Sequence, residues 1–132
     1  IASMAEEIVQ ELFDGPLPDP ARLSRELREA LLSTRDSAEV VVAAVSQPGS
    51  QVQKELETRF AASVKAWLGE AASISNVRIA ARGLLRLTLG DAAVQQSAAQ
   101  LAQATGAHEE SDGADEHAAA VAFLLDGLKR SV

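Results

Sequence analysis

Residues 19–53 read DPARLSRELREALLSTRDSAEVVVAAVSQPGSQVQ, and the punctuation of this stretch decides the fold class. The Asp19 carboxylate is placed to accept from the free N–H groups of a first helical turn. Pro20 behind it has a fixed φ that suits a helix and lacks only a donor the first turn leaves unused. At about 100° per residue, Leu23, Leu27, Ala30, Leu31, Thr34, Ala38, Val41, Val42 and Val45 fall within an arc of roughly 120°. Arg22, Arg25, Glu26, Glu29, Asp36 and Glu39 lie outside it. The phase persists through the polar stretch 33–37, so the spacing predicts one helix over about 20–46. Val40-Val41-Val42 alone would suit a strand, but a lone strand has nothing here to pair with. Gln47-Pro48-Gly49 is a turn, and Ser50 with Gln53 makes a capping box that opens a second long helix, about 51–72. That helix puts Val52, Leu56, Phe60, Val64, Trp67 and Leu68 on one face and turns Lys54, Glu55 and Lys65 away. Two long helices across a tight turn form an antiparallel hairpin, with arms roughly 33–39 Å long.

Shorter helices flank this hairpin. Met4, Ile8, Val9, Leu12 and Phe13 predict one over about 3–13, closed by Gly15 and by Pro16, Pro18 and Pro20. After the hairpin, Ser73-Ile74-Ser75-Asn76 is either a break or a polar patch inside a continuing helix, since the apolar phase carries on through Ile74, Val77, Ala81, Leu84 and Leu85. Gly90 is expected to end that segment and Asp91 to cap another helix, about 92–105, in which Val94 and Leu101 are the large apolar residues. An acidic loop over 106–113 leads to a last helix, about 114–130, expected to bury Ala118, Val121, Ala122, Leu125 and Leu128. Its Asp115 and Glu116 at the N-terminus and Lys129 and Arg130 at the C-terminus complement the helix dipole. The expectation is an all-α fold, a five- to six-helix bundle built on the hairpin of 20–46 and 51–72, in a single domain over 1–132.

Composition bounds the function. The chain has 132 residues, with 26 Ala against 16 Leu, three Phe and one Trp, which favours helices that pack closely on small side chains. A net charge of −7 disfavours nucleic acid and anionic membrane surfaces as partners. The absence of Cys excludes disulfides, thiolate metal sites and cysteine nucleophiles. No apolar run approaches the ~20 residues of a membrane-spanning helix. Ile1-Ala2-Ser3-Met4 has no basic leader region, so a cytoplasmic protein is expected. A start at Ile rather than Met reads as a trimmed, processed or excised piece of a longer chain.

The inventory for chemistry is thin. There is no Gly-x-Ser-x-Gly elbow, no Gly-rich phosphate loop, no His-Glu-x-x-His and no paired Glu-x-x-His. Acids sit on solvent faces or caps, where nothing tunes them for proton transfer. No catalytic residue, cofactor or metal is expected, and an enzyme is the least favoured class. The run from His108 to His117 holds five acids and two His, which invites a metal reading. In an EF-hand frame beginning at residue 108, Glu110, Asp112 and Gly113 fall on positions three, five and six. Position one is then His108 and position twelve is Ala119, so the frame fails where calcium needs carboxylates. A solvated loop is the better reading. Trp67-Leu68-Gly69 resembles the Trp-x-Gly of small secreted helical-hairpin proteins of type VII secretion. There it sits at the turn between helices, whereas here the turn is at Pro48-Gly49, and a chain without Tyr cannot carry their Tyr-x-x-x-acid signal. Trp67 is read as a core anchor instead.

Two surfaces remain. Arg78, Arg82 and Arg86 recur every four residues on one face, and no acid lies between Glu70 and Asp91 to neutralise them locally. They either pair with acids of neighbouring helices, such as Glu55 and Glu57, or of the acidic loop, or grip a phosphate, a nucleic-acid backbone or an acidic partner through their planar forks. The hairpin stripe of Leu23, Leu27, Leu31, Val41, Val45, Phe60 and Trp67 outreaches the short helices, so a second copy is expected to complete it as a homodimer or higher oligomer. The leading functional expectation is a non-enzymatic helical protein–protein interaction module (adaptor, regulator or assembly subunit) that self-associates, its protein partner unnamed. The alternatives are a phasin-like amphipathic binder of apolar surfaces or ligands, and the effector or dimerisation domain of a transcriptional regulator.

Overall fold

Apolar residues three and four apart recur in each stretch between the Gly and Pro breaks. In the computed structural model, which describes residues 4–12, 14–107 and 111–131, those stretches are helices. They are α1 (Met4–Leu12), α2 (Pro20–Leu32), α3 (Ser37–Val45), α4 (Gln51–Leu68), α5 (Ile74–Thr105) and α6 (Ala114–Arg130), with a 3-10 turn at Gly69–Ala71. The described residues contain no strand, and the all-α bundle expected from the sequence is the observed architecture. α5 is its axis and packs against α2, α3, α4 and α6. Around it Leu23, Leu27, Leu31, Val41, Leu56, Phe60, Val64, Leu84 and Leu85 form one closed apolar core.

Local chemistry sets the helix starts. Asp19 Oδ1 accepts from the Arg22 N–H at 2.9 Å ahead of Pro20, and Ser50 Oγ accepts from the Gln53 N–H at 3.1 Å. The second half of the expected capping box is not made: the Ser50 N–H donates to the Gln47 carbonyl at 3.1 Å, and Gln53 Nε2 donates to Glu57 at 3.2 Å. Ser73 Oγ accepts from the Asn76 N–H at 3.0 Å, so of the two readings of that stretch the break holds, as a true helix start.

Two long segments differ from the sequence expectation, in opposite directions. The arm over 20–46 is two helices, interrupted between Leu32 and Ser37, where Asp36 adopts a left-handed φ of 65°. An unbroken helix would bond the Ala38 N–H to the Thr34 carbonyl and the Arg35 N–H to the Leu31 carbonyl. Gln96 of α5 supplies the missing partners. Its Oε1 accepts from the Ala38 N–H at 2.9 Å, and its Nε2 donates to the carbonyls of Thr34 at 2.8 Å and Leu31 at 3.1 Å. One turn along α5, Gln100 Nε2 donates to Asp36 Oδ1 at 2.8 Å and holds the residue that makes the bend. The apolar phase survives the break because Ala38 and Val41 remain buried on the same side as Leu27 and Leu31.

The second difference is that Gly90 and Asp91 do not end a helix. α5 runs for 32 residues through them, since Leu84, Leu85, Thr88, Leu89, Ala92 and Gln96 keep one continuous buried phase. A single interior Gly costs only about 1 kcal/mol against that burial. In α6, Val121 and Leu125 are buried as expected, but Ala118 and Ala122 are exposed and His117 takes the inner place.

Gln96→Ala leaves the buried Ala38 N–H and Leu31 carbonyl to find new partners, while the Thr34 carbonyl keeps the Ser37 N–H, so unfolding in urea should show a loss of about 2 kcal/mol. Gln100→Ala, at the surface end of the same clamp, should cost less than about 1 kcal/mol in the same measurement.

Candidate functional site

A buried polar network ties three helices together on the side of α5 where α2 and α6 meet. Arg28 of α2 is only 3% exposed. Its Nε donates to Asp91 Oδ2 of α5 at 2.7 Å, and its Nη2 donates to the backbone carbonyl of Asp112 in the loop before α6. His117 of α6 is buried beside this pair and shares a hydrogen bond of 3.2 Å with Thr88 Oγ1 of α5. Burial holds the His117 imidazole below its ordinary range; the Asp91 carboxylate raises it in opposition, and the Arg28 guanidinium lowers it further. Sequence spacing carried a signal for Arg28, since Ser24, Leu27, Arg28 and Leu31 stand at i, i+3, i+4 and i+7, which puts a charge on an apolar face. Among the described residues no three His, Asp or Glu side chains converge closely enough to share a metal ion. His108, Glu109 and Glu110 of the acidic run lie outside the described residues.

The arginine stripe divides. Arg82 Nε donates to Glu57 Oε1 of α4 at 3.2 Å, the pairing with a neighbouring helix that the sequence allowed. Arg78 and Arg86 are exposed, and neither has an ion pair among the described residues. Arg78 and Arg82 line a groove of about 510 Å³ between α4 and α5, and Arg86 does not. Trp67 is half-buried against the core with Lys129 Nζ of α6 4.9 Å from its ring centroid, a cation–π contact.

The expected oligomer seam is not a surface. Leu23, Leu27, Leu31, Val41 and Phe60 are closed to solvent within the chain, and Val45 and Trp67 are half-buried against the same core. The physical reason is the length of α5, which covers the stripe that a pair of shorter helices would have left open. The exposed large apolar side chains are elsewhere: Ile74, Ile79, Val94 and Leu101 on α5 and Phe123 on α6. Ile79, Gly83, Leu87, Gly90, Val94 and Leu101 fall within roughly 80° of helical arc, on the side of α5 away from its buried phase. A Cβ at Gly83 would stand 3.6 Å from Leu124 Cδ1, so α6 passes along the edge of this stripe. Ala120, Phe123, Leu124 and Gly127 extend it across the second helix.

No protein-family model, curated protein or solved structure matches this chain. Among the described residues no helix is long and apolar enough to cross a membrane.

The displaced titration of His117 has a definite sign. Above about pH 6.5 the imidazole is neutral both folded and unfolded, and its burial carries no penalty. As the pH falls, the unfolded chain takes up a proton that the folded chain resists, so stability declines until the lowered folded value is passed and then levels off. Between about pH 7 and pH 5 the wild-type melting temperature should fall more steeply than that of His117→Gln, which keeps a partner for Thr88 without a titrating ring.

Proposed function

We propose that this chain is a non-enzymatic helical interaction module that self-associates through the joint face of α5 and α6. One observation carries the reading. Four of the five large exposed apolar side chains among the described residues, Ile79, Val94, Leu101 and Phe123, stand on this face and are each 65–77% exposed, while the fifth, Ile74, lines the α4–α5 groove. A face of this kind on adjacent helices is self-complementary under a two-fold axis, because the pair from one copy packs on the same pair from the next to give four helices around a shared seam. The glycines favour it too: Gly90 has nothing within 4 Å of a Cβ position, so a partner backbone can approach closely there. The buried Arg28 network supports the same reading as a scaffold, since it fixes α6 and its preceding loop against α2 and α5 and so presents Phe123 at a set place.

A second reading, the effector and dimerisation domain of a transcriptional regulator, is favoured by a particular arrangement. α5 carries the apolar stripe on one side and, at its N-terminal end, one wall of the α4–α5 groove on another, so an event in the groove and the association of two copies would act on the same helix.

Light scattering coupled to size exclusion should give twice the chain mass for the wild type, and the mass of one chain for Val94→Glu combined with Phe123→Glu. Both positions are exposed, so the helical circular dichroism of the double variant should match the wild type. A wild type that stays monomeric at high concentration, or a double variant that still dimerises, overturns the proposal.

A further inference from the structure

The groove between the second half of α4 and the first turns of α5 has a composition unlike the rest of the surface. Its volume of about 510 Å³ is in the range of sites that enclose small molecules. Val77 and Ala81 are buried at its base, Ala61 and Ala72 are half-buried beside them, and the exposed Ile74 stands at its edge, so the lining between the charged groups is apolar and made mostly of small side chains. Three cations stand over it, Lys65 from α4 and Arg78 and Arg82 from α5, against one acid, Glu57. In a chain with a net charge of −7 this is a local reversal of sign. Glu57 is already engaged, since its Oε1 accepts from both Gln53 Nε2 and Arg82 Nε at 3.2 Å. That ion pair lies near the surface, where such pairs contribute only about 0–1 kcal/mol, so it does not use up the guanidinium. Arg78, one turn before Arg82, has no ion pair among the described residues and brings a complete fork to the same rim.

We propose that this groove is a binding site for an amphipathic carboxylate, with the acid held by Arg78 and Arg82 and the alkyl body laid along Val77, Ala81 and Ala61. Guanidinium forks match the two oxygens of a carboxylate, and hydrogen bonds between ionised partners are the stronger class. The small-residue floor then takes a slim apolar chain that a hydrated inorganic anion would leave empty. An anionic head and an apolar body are both required, and this separates the site from a general anion patch. The proposal stands apart from self-association, because the groove and the exposed α5–α6 stripe use different sides of α5.

The test is calorimetric titration of the full chain with decanoate below its micelle concentration, with decanol and inorganic phosphate as comparison probes. Backbone amide shifts locate the binding. Decanoate should bind saturably at one site per chain, with shifts confined to the 57–82 region. Decanol and phosphate should bind at least about tenfold more weakly. Arg78→Gln with Arg82→Gln, and separately Ala61→Leu, which fills the floor, should each weaken decanoate at least about tenfold with unchanged circular dichroism. Arg86→Gln should leave it unchanged. Absence of saturable binding, equal affinity in the double arginine variant, or shifts that map to Ile79, Val94 and Phe123 would each overturn the proposal, the last showing that the probe merely covers the exposed apolar stripe.

Discussion

The side-chain amide of Gln96 sits where one rung of a helix has been lost, and it satisfies both halves of that rung: the N–H of Ala38 and the carbonyl of Thr34, with the Leu31 carbonyl as well. Much of the architecture follows from this exchange. Because the Ala38 N–H and the Leu31 and Thr34 carbonyls find a partner on α5, α2 and α3 can both lay their apolar sides on that helix with these backbone groups paired. A straight 27-residue arm would follow one line, whereas two segments meeting at a clamped bend can wrap around an axis. The clamp in turn requires α5 to be intact as far as Gln96 and Gln100, which is why its passage through Gly90 matters more than the small helical cost of a glycine.

α6 is held by a second device of the same kind. Arg28 would be a heavy liability in the core alone, since an unpaired buried charge costs several kcal/mol. Its Nε is met by Asp91 and its Nη2 by the Asp112 carbonyl, so the charge that is costly to bury also anchors the loop that leads into α6. His117 and Thr88 close the gap between α5 and α6 with a hydrogen bond, at a place where burial favours the neutral imidazole. Gln96 and Arg28 therefore act on two sides of one axis. Each converts a buried polar group into a positional constraint, and among the described residues four of the five large exposed apolar side chains then stand on the α5–α6 stripe, the fifth, Ile74, lining the α4–α5 groove.

The sequence was most informative where the chemistry is local. The caps at Asp19 and Ser50, the ends of α6 and the all-helical class follow from residues a few positions apart, and the pairing of Arg82 with Glu57 was among the readings that spacing allowed. What escaped was non-local. An amphipathic phase looks the same in a straight helix and in two helices bent around a common core, so periodicity could not reveal the interruption before Ser37. Only the position of Gln96 does so, and a glutamine among alanines carries no meaning until its partners 58 to 65 residues away are in place. At Gly90 the reverse holds: a glycine followed by an aspartate has the local form of a stop and a cap, but the aspartate is the partner of Arg28, 63 residues away. An α5 cut in two would leave the hairpin stripe uncovered; with α5 whole, the leucines of that stripe are core, and Ile79, Val94 and Leu101 stand on its outer side.

The functional proposals rest on that continuous axis, since α5 supplies most of the outward stripe, one wall of the α4–α5 groove and the clamp that organises α2 and α3. The most direct test of the clamp is native-state hydrogen exchange at the Ala38 amide. If the Gln96 side chain truly replaces the lost helical bond, Ala38 should exchange only through global unfolding, with the protection and denaturant dependence of the buried amides of Leu84 and Leu85. Exchange at Ala38 that is far faster and insensitive to denaturant, while Leu84 and Leu85 stay protected, would mean that the bend opens on its own and that the clamp does not hold the fold.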